Sequence, residues 1–259
     1  MIPVLVSKQW EAMEASTGMM YGGASASCGA PGGGDDPWDH TKYDHDTLPM
    51  ELDWEENRPA QILIFGHSYV RRLQDFLSWE FGYYHNLGLS YDVAHVQWMH
   101  RGGLTADFAL WNYVQPIVET QPDIVIIQLG GNDVSFPFVS PENAGSALYD
   151  LGASLIHLGV RYVIVCQELP RSGLGIPRYV PEYNAKVSAM NSYVRRILGL
   201  GFIPGLRYWQ HRSLWRSTRP TAHRDGVHLN DLGHHRLYRS MRGAVLHALG
   251  QIRQHLRRQ

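Results

Sequence analysis

A run of mostly β-branched residues at 124–129, followed by a pair of glycines, constrains the fold more than any other feature of the sequence. A run this short, rich in isoleucine and valine and ended by glycine, is typical of a strand buried on both faces of a parallel sheet. A second apolar run, at 61–65, ends in the same way before Gly66. We therefore predict that both runs are buried parallel strands.

Helix-like segments alternate with five predicted strands along the chain. This alternation predicts an α/β fold in which helices cover both faces of a parallel sheet. Because crossovers between parallel strands are right-handed, few topologies remain, and we predict a five-stranded, flavodoxin-like, three-layer α/β/α sandwich. The strands are predicted at 61–65, 91–98, 124–129, 161–167 and 202–209, and the helices at 69–80, 105–119 (with Thr105 as N-cap), 140–158, 182–198 and 232–257.

The first 57 residues differ in composition from the rest of the chain. Residues 1–56 hold 11 acidic and 2 basic side chains, whereas residues 57–259 hold 13 acidic and 21 basic ones. The first part is rich in glycine and serine and has no helical or strand periodicity. We therefore predict a disordered acidic tail at 1–57 and one domain at 58–259. This asymmetry has three interpretations: the basic domain binds polyanions, the acidic tail folds back on the basic domain, or both are simply solvated surfaces.

Hydropathy and cysteine usage set further expectations. No segment reaches the roughly 18 uninterrupted apolar residues that a membrane span needs, and the N-terminal apolar run is too short for a signal-peptide core, so we expect an intracellular protein, cytoplasmic or nuclear. Cys28 and Cys166 form no disulfide framework, and the apolar surroundings of Cys166 are typical of an inert core residue. Adjacent residues of a helix point in different directions, so we interpret His234 and His235 as surface or interface residues rather than metal ligands.

Polar turns follow the first three predicted strands and the last one. The carboxyl ends of parallel strands meet at one edge of the sheet, and α/β proteins bind their ligands at that edge. We therefore expect the polar residues of these turns to lie together on one rim. The turns are Gly66-His67-Ser68, Gly102-Gly103-Leu104-Thr105, Gly130-Gly131-Asn132-Asp133 and Asp225-Gly226-Val227-His228.

Three residues of these turns have the chemistry of a nucleophile, a base and its partner. A serine hydroxyl is a poor nucleophile until a base takes its proton, and imidazole titrates near neutrality, so His228 is the candidate base for Ser68. Asp225 precedes His228 by three residues and is the candidate acceptor for the other ring nitrogen. The sequence therefore predicts a catalytic triad. It contains no Gly-x-Ser-x-Gly motif, which argues against the α/β-hydrolase version of such a triad.

The four turns resemble, in order and in position, the four sequence blocks of the SGNH (GDSL-like) hydrolases, over residues of about 60–245. The resemblance implies a serine esterase that needs no metal or organic cofactor and acts on small acyl esters, such as acetylated sugars or short lipids. It also implies an oxyanion hole formed by the backbone N–H groups of Ser68 and Gly103 and the side-chain amide of Asn132. The first block departs from the family pattern, because His67 stands where the family has Asp.

Two alternatives remain open at this point. The same triad serves acyl transfer as well as hydrolysis, since only the acceptor differs. His67 and the basic domain also fit a catalytically silent SGNH-fold module that binds an anionic polymer such as nucleic acid. The Arg-rich domain behind an acidic leader is similar to SGNH-type domains encoded within eukaryotic mobile elements.

Overall fold

Five parallel strands form one sheet in the computed structural model, which describes residues 58–80, 84–172, 180–215 and 219–256. The predicted acidic tail at 1–57 lies outside the described residues. The strands are β1 (Ala60–Gly66), β2 (Ala94–His100), β3 (Ile124–Gln128), β4 (Tyr162–Cys166) and β5 (Leu206–Trp209). Their spatial order is β2-β1-β3-β4-β5, and every neighbouring pair is parallel.

Helices connect the strands and cover the sheet. Two short 3₁₀ helices, Tyr84–Asn86 and Arg219–Thr221, lie in the connections. The α-helices are α1 (Ser68–Glu80), α2 (Ala106–Asn112), α3 (Val114–Glu119), α4 (Pro141–His157), α5 (Val180–Gly199), α6 (Arg212–Trp215) and α7 (Asp231–Leu256).

Alternate side chains of the central strands enter two separate hydrophobic cores. Ile62, Ile64 and Ile126 pack in a core with α1 and α7, on one face of the sheet. Leu63 and Phe65 pack in a second core with α2, α3, α4 and α5, on the other face. Because successive strand residues point to opposite faces, a strand between two helical layers is apolar throughout. This arrangement confirms the predicted three-layer α/β/α sandwich.

The prediction of a single helix at 105–119 is wrong, because this segment forms the two helices α2 and α3. A continuous helix would need a backbone N–H at position 116 to donate to the carbonyl of Asn112. Pro116 has no N–H, and its ring clashes with that carbonyl. The predicted N-cap is confirmed, since the Thr105 hydroxyl accepts a hydrogen bond from Phe108 N–H at 3.2 Å.

Two predicted strands are displaced or shortened. The strand predicted at 91–98 begins later, because the preceding residues form a turn in which Ala94 N–H donates to the Ser90 carbonyl at 3.1 Å. The strand predicted at 202–209 is limited to its last four residues. Gly205 ends the preceding turn with φ of 83°, a left-handed conformation that does not belong to an extended strand.

The histidine pair of α7 is only partly on the surface. His235 is exposed, as predicted, but His234 is 7% exposed, and its ring stacks on Phe76 of α1 with centroids 5.3 Å apart. The prediction that His234 is a surface or interface residue is wrong, because α7 packs against α1 along this side and buries the ring within the domain. Cys166 is buried in the core, as predicted. Among the described helices, none combines the length and apolar character needed to cross a membrane.

Substitution of Gly66 by alanine should destabilise the protein, because the end of β1 touches β3 without room for a side chain. An added Cβ would lie 2.4 Å from the Gln128 carbonyl oxygen and 2.6 Å from a methyl group of Val70. We expect Gly66→Ala to lower the free energy of unfolding in urea by about 1–3 kcal/mol. Gly199→Ala is the control, since a Cβ there meets nothing within 4 Å and should cause no loss. Equal losses in both variants would contradict this packing.

Candidate active site

Backbone hydrogen bonds hold the carboxyl ends of the three adjacent strands β2, β1 and β3 together. Arg101 N–H, just after β2, donates to the Gly66 carbonyl at 3.1 Å. His67 N–H, just after β1, donates to the Gln128 carbonyl of β3 at 3.3 Å. The turns that follow these strands therefore begin side by side, on one rim of the sheet.

The structure brings Ser68, His228 and Asp225 into one hydrogen-bonded row. Ser68 Oγ lies 2.9 Å from His228 Nε2, and His228 Nδ1 lies 2.7 Å from Asp225 Oδ2. A carboxylate oxygen only accepts, so the ring hydrogen is on Nδ1 and Nε2 is left to accept from the serine hydroxyl. In this arrangement the lone pair of His228 Nε2 faces the Ser68 hydroxyl, as removal of the hydroxyl proton requires.

A tight turn sets the position of Asp225 relative to His228. Asp225 Oδ1 accepts hydrogen bonds from the backbone N–H groups of Val227, at 3.0 Å, and His228, at 2.9 Å. Gly226 has φ of 70°, which glycine adopts without strain. The Tyr69 hydroxyl, from the first turn of α1, donates to the Val227 carbonyl at 2.5 Å. This bond ties the loop to the helix that carries Ser68.

Hydrogen bonds keep Asp225 ionised. Partial burial alone would raise its pKa, but the backbone and side chain of His228 and the backbone of Val227 hold the pKa of this carboxyl well below its usual range. Arg72, one helical turn after Ser68, lies 3.5 Å from Asp225 Oδ2, and His223 Nδ1 lies 3.2 Å from the same oxygen. Asp225 is therefore negatively charged over the whole range in which histidine titrates.

Burial shifts His228 towards its neutral form. The loss of solvent lowers its pKa, the hydrogen bond to Asp225 acts in the opposite direction, and the nearby positive charge of Arg72 lowers the pKa further. The net pKa lies below the ordinary histidine value of about 6.5. Neutral imidazole is the form that accepts a proton, so His228 is ready to act as a base at neutral pH.

The turns that follow β2 and β3 are clamped together. The side-chain amide of Asn132 donates to the Leu104 carbonyl at 2.9 Å, and its second N–H makes no hydrogen bond within the described residues. The carboxylate of Asp133 accepts from Ala106 N–H through both oxygens, at 2.9 and 3.0 Å. Gly103 lies in the clamped segment with φ of 73° and an exposed backbone. The predicted oxyanion-hole residues Gly103 and Asn132 therefore belong to one rigid unit.

His67 makes its contacts inside the protein. Its Nε2 lies 3.1 Å from Glu168 Oε2, and its Nδ1 accepts from Tyr69 N–H at 3.3 Å. His67 is 3% exposed and Glu168 is 1% exposed. Sequence reasoning missed Glu168, although its position directly after the predicted fourth strand was a signal that could have placed it on the same rim.

Sequence reasoning also missed Arg72 and His223, the second and third partners of Asp225. A signal was present for Arg72, because residues four apart on a helix share a face and Arg72 is four residues after Ser68. Beside Asp225 these two residues line an open groove of about 770 Å³. Arg71, Arg224 and the 91% exposed Trp79 also line the groove, together with the carboxylates of Asp75 and Asp231.

The described residues contain no cluster of three or more His, Cys, Asp or Glu side chains suited to a metal ion.

Comparison with solved structures finds the same fold in several hydrolases. A GDSL-like lipase from Bacteroides thetaiotaomicron has a TM-score of 0.61 at 14% identity, over 81% of this chain and 98% of that one. A carbohydrate esterase of family 3 from Talaromyces cellulolyticus has a TM-score of 0.55 at 16% identity, over 74% and 99%. A catalytic mutant of an acetylxylan esterase from Geobacillus stearothermophilus has a TM-score of 0.53 at 16% identity, over 75% and 95%. At these identities the likeness shows the fold alone.

The sequence itself matches one family. No curated protein matches the chain. The GDSL-like Lipase/Acylhydrolase family matches residues 63–236, which is more than half of the chain and contains the rim turns from Ser68 to His228. This match confirms the predicted SGNH/GDSL-like resemblance and the prediction of an ester-hydrolysing enzyme. The chain belongs to the GDSL-like lipase/acylhydrolase family of ester hydrolases.

Proposed function

We propose that this protein hydrolyses short-chain carboxylic esters through an acyl-enzyme on Ser68, with His228 as general base and Asp225 as its partner. One observation carries the proposal: Ser68 Oγ, the His228 ring and Asp225 Oδ2 form a continuous row with contacts of 2.9 and 2.7 Å. The depressed pKa of His228 supports the role of base, and the depressed pKa of Asp225 supports the role of permanent counter-charge.

In the first half of the reaction, Ser68 Oγ attacks the ester carbonyl carbon while His228 Nε2 takes the hydroxyl proton. Asp225 stabilises the imidazolium that forms. Three donors are assigned to the oxyanion: the backbone N–H groups of Ser68 and Gly103 and the remaining N–H of Asn132. The N–H of Ser68 is available because the first N–H groups of a helix have no partner within it. The tetrahedral intermediate collapses, and His228 returns the proton to the departing alcohol.

In the second half, water enters the position that the alcohol has left and acts as the nucleophile. His228 takes a proton from that water, the water oxygen attacks the acyl carbon, and a second tetrahedral intermediate releases the carboxylic acid and restores the Ser68 hydroxyl. An alcohol that enters at this stage instead of water would give acyl transfer. Product analysis with an added alcohol acceptor separates the two reactions, because only transfer yields a new ester.

The proposed substrates are small acyl esters of a sugar or a lipid. The names of the similar structures support both classes, since one is an acetylxylan esterase and another a GDSL-like lipase. The rates of acetate release from acetylated xylooligosaccharides and of acyl release from short-chain glycerides distinguish the sugar from the lipid.

Removal of the nucleophile or the base should abolish ester hydrolysis. We expect Ser68→Ala and His228→Ala each to lower kcat for p-nitrophenyl acetate and butyrate by at least about 1000-fold, because each removes one half of the proton-transfer pair. Ser78→Ala and His157→Ala are matched controls that change the same residue types away from the rim. Equal rates in all proteins, or no rate above buffer across about pH 6 to 9, would contradict the proposed triad.

The pH profile should report the charge of Arg72. The acidic limb of kcat/KM follows the pKa of the free base, so its inflection should lie below the ordinary histidine value of about 6.5. Arg72 disfavours the imidazolium, so Arg72→Gln should raise the pKa of His228 and move this limb to higher pH. Arg195→Gln removes an exposed charge on α5 and should leave the limb unchanged. A limb that stays in place or moves to lower pH in Arg72→Gln would exclude this electrostatic role.

Polyanion binding is a second candidate function, favoured by the groove beside Asp225. Three arginines and an exposed tryptophan line this groove, a combination that holds phosphates and stacks bases in single-stranded nucleic acid complexes. We expect Arg71→Gln and Arg224→Gln each to reduce salt-dependent retention on heparin and on a single-stranded oligonucleotide, and Ser68→Ala to leave it unchanged. Arg195→Gln is the control for the loss of one positive charge. Absence of retention at low salt would exclude this function.

A further inference from the structure

The imidazole of His67 caps the helix that begins with Ser68. The first turn of a helix has backbone N–H groups without helical partners. The His67 carbonyl accepts from Val70 N–H at 3.1 Å and from Arg71 N–H at 3.3 Å, and its ring Nδ1 accepts from Tyr69 N–H. The backbone and the side chain of His67 therefore satisfy the helix end that carries the nucleophile.

Only one tautomer of His67 performs this capping. The Tyr69 backbone N–H is a donor, so Nδ1 must carry a lone pair and the ring hydrogen must be on Nε2. Nε2 then donates to Glu168 Oε2, the acceptor 3.1 Å away. If the hydrogen were on Nδ1, it would point at the Tyr69 N–H and the cap would be lost. The family has Asp at this position. A carboxylate accepts through either oxygen, so it caps the helix without a partner that fixes its protonation state.

Glu168 is held in place by a buried polar network. Asn191 of α5 exchanges two hydrogen bonds with the Glu168 backbone, both 2.9 Å long. Gln128 Nε2 donates to Glu168 Oε2 at 3.2 Å, and the Gln128 amide oxygen meets His211 Nε2 at 2.8 Å. The other ring nitrogen of His211 lies 2.7 Å from Ser240 Oγ of α7. Glu168 is thus fixed to elements on both sides of the sheet.

The carboxylate of Glu168 is directed at His67 rather than at solvent. Its hydrogen bonds are all on Oε2, from His67 and Gln128, and its Oε1 has no partner within the described part of the chain. Burial of a carboxylate that is 1% exposed costs free energy, and the hydrogen bonds from His67 and Gln128 to Oε2 offset part of this cost.

We propose that Glu168 is a positioning residue for the nucleophile: it holds His67 in the Nε2–H tautomer, so that the ring caps α1 and fixes the backbone and hydroxyl of Ser68. The proposal rests on the proposed function of Ser68. The proposal also gives a role to His67, which stands where the family has Asp. In the family the Asp side chain would accept from the backbone N–H of the first helical turn, whereas here the His67 ring accepts and Glu168 holds the ring in the accepting tautomer.

Kinetics in two backgrounds test the proposal. Glu168→Leu removes the acceptor and should lower kcat for p-nitrophenyl acetate by about 10- to 100-fold with KM almost unchanged, because a displaced nucleophile slows chemistry rather than binding. Glu168→Gln should stay close to wild type, since its amide oxygen still accepts from His67. In a His67→Asn protein, whose side-chain oxygen caps Tyr69 N–H without help, Glu168→Leu should change kcat less than about 3-fold.

Thermal unfolding and a second buried carboxylate separate positioning from stability. Asp123 is 4% exposed and paired with Arg58 at the opposite edge of the sheet, so Asp123→Asn should lower Tm but leave kcat unchanged. The proposal is overturned if Glu168→Leu reduces kcat equally in the wild-type and His67→Asn backgrounds. It is also overturned if folded Glu168→Leu retains wild-type kcat.

Long-range ¹H–¹⁵N correlation spectra of the His67 ring give a readout that does not depend on activity. We expect an unprotonated Nδ1 in the wild type and the appearance of the Nδ1–H form in Glu168→Leu, with the His67→Asn spectrum used to assign the signals. A protonated Nδ1 in the wild type, or the same tautomer in both proteins, would overturn the proposal. If the wild type shows no Ser68-dependent hydrolysis, the proposed function fails, and these spectra still decide whether Glu168 controls His67.

Discussion

Parallel pairing of β1 with both β2 and β3 is the constraint on which the rest of the structure depends. The Gly66 carbonyl accepts from the turn after β2, and His67 N–H donates to the end of β3, so three turns begin at the same place. Gly66 makes this possible because it has no Cβ where β1 approaches the Gln128 carbonyl. The loop that carries Asp225 and His228 meets the same rim at Ser68, and Tyr69 fixes this loop to α1.

Two histidine–carboxylate pairs flank Ser68, and their different exposure separates their roles. The His228–Asp225 pair is reached by solvent, contacts the serine hydroxyl and is tuned by Arg72. The His67–Glu168 pair is almost fully buried and contacts the backbone of the helix that Ser68 begins. In our account the first pair moves protons and the second holds the nucleophile in place. In our proposal the same two chemical groups, an imidazole and a carboxylate, serve chemistry in one pair and positioning in the other, according to their exposure to solvent.

Local signals in the sequence predicted most of the fold. Apolar runs rich in β-branched residues placed β1, β3 and β4, Thr105 indicated the start of a helix, and the spacing of Asp225 and His228 predicted their contact. Errors arose where a single residue overrides a periodic pattern, as Pro116 does in the helix predicted at 105–119. The role of Glu168 was not visible, because it lies 101 residues from His67 and their contact depends on how β1, β3 and β4 are ordered in the sheet. Burial of His234 likewise depends on the packing of α7 against α1.

Covalent labelling of the intact protein with a fluorophosphonate, followed by mass spectrometry of its peptides, tests directly whether Ser68 is an activated nucleophile. An activated serine displaces fluoride from phosphorus and retains the phosphonyl group, because the stable adduct resembles the tetrahedral intermediate. We expect one adduct, on Ser68, formed in the wild type and lost in His228→Ala. No adduct, an adduct on another residue, or equal labelling without His228 would contradict it.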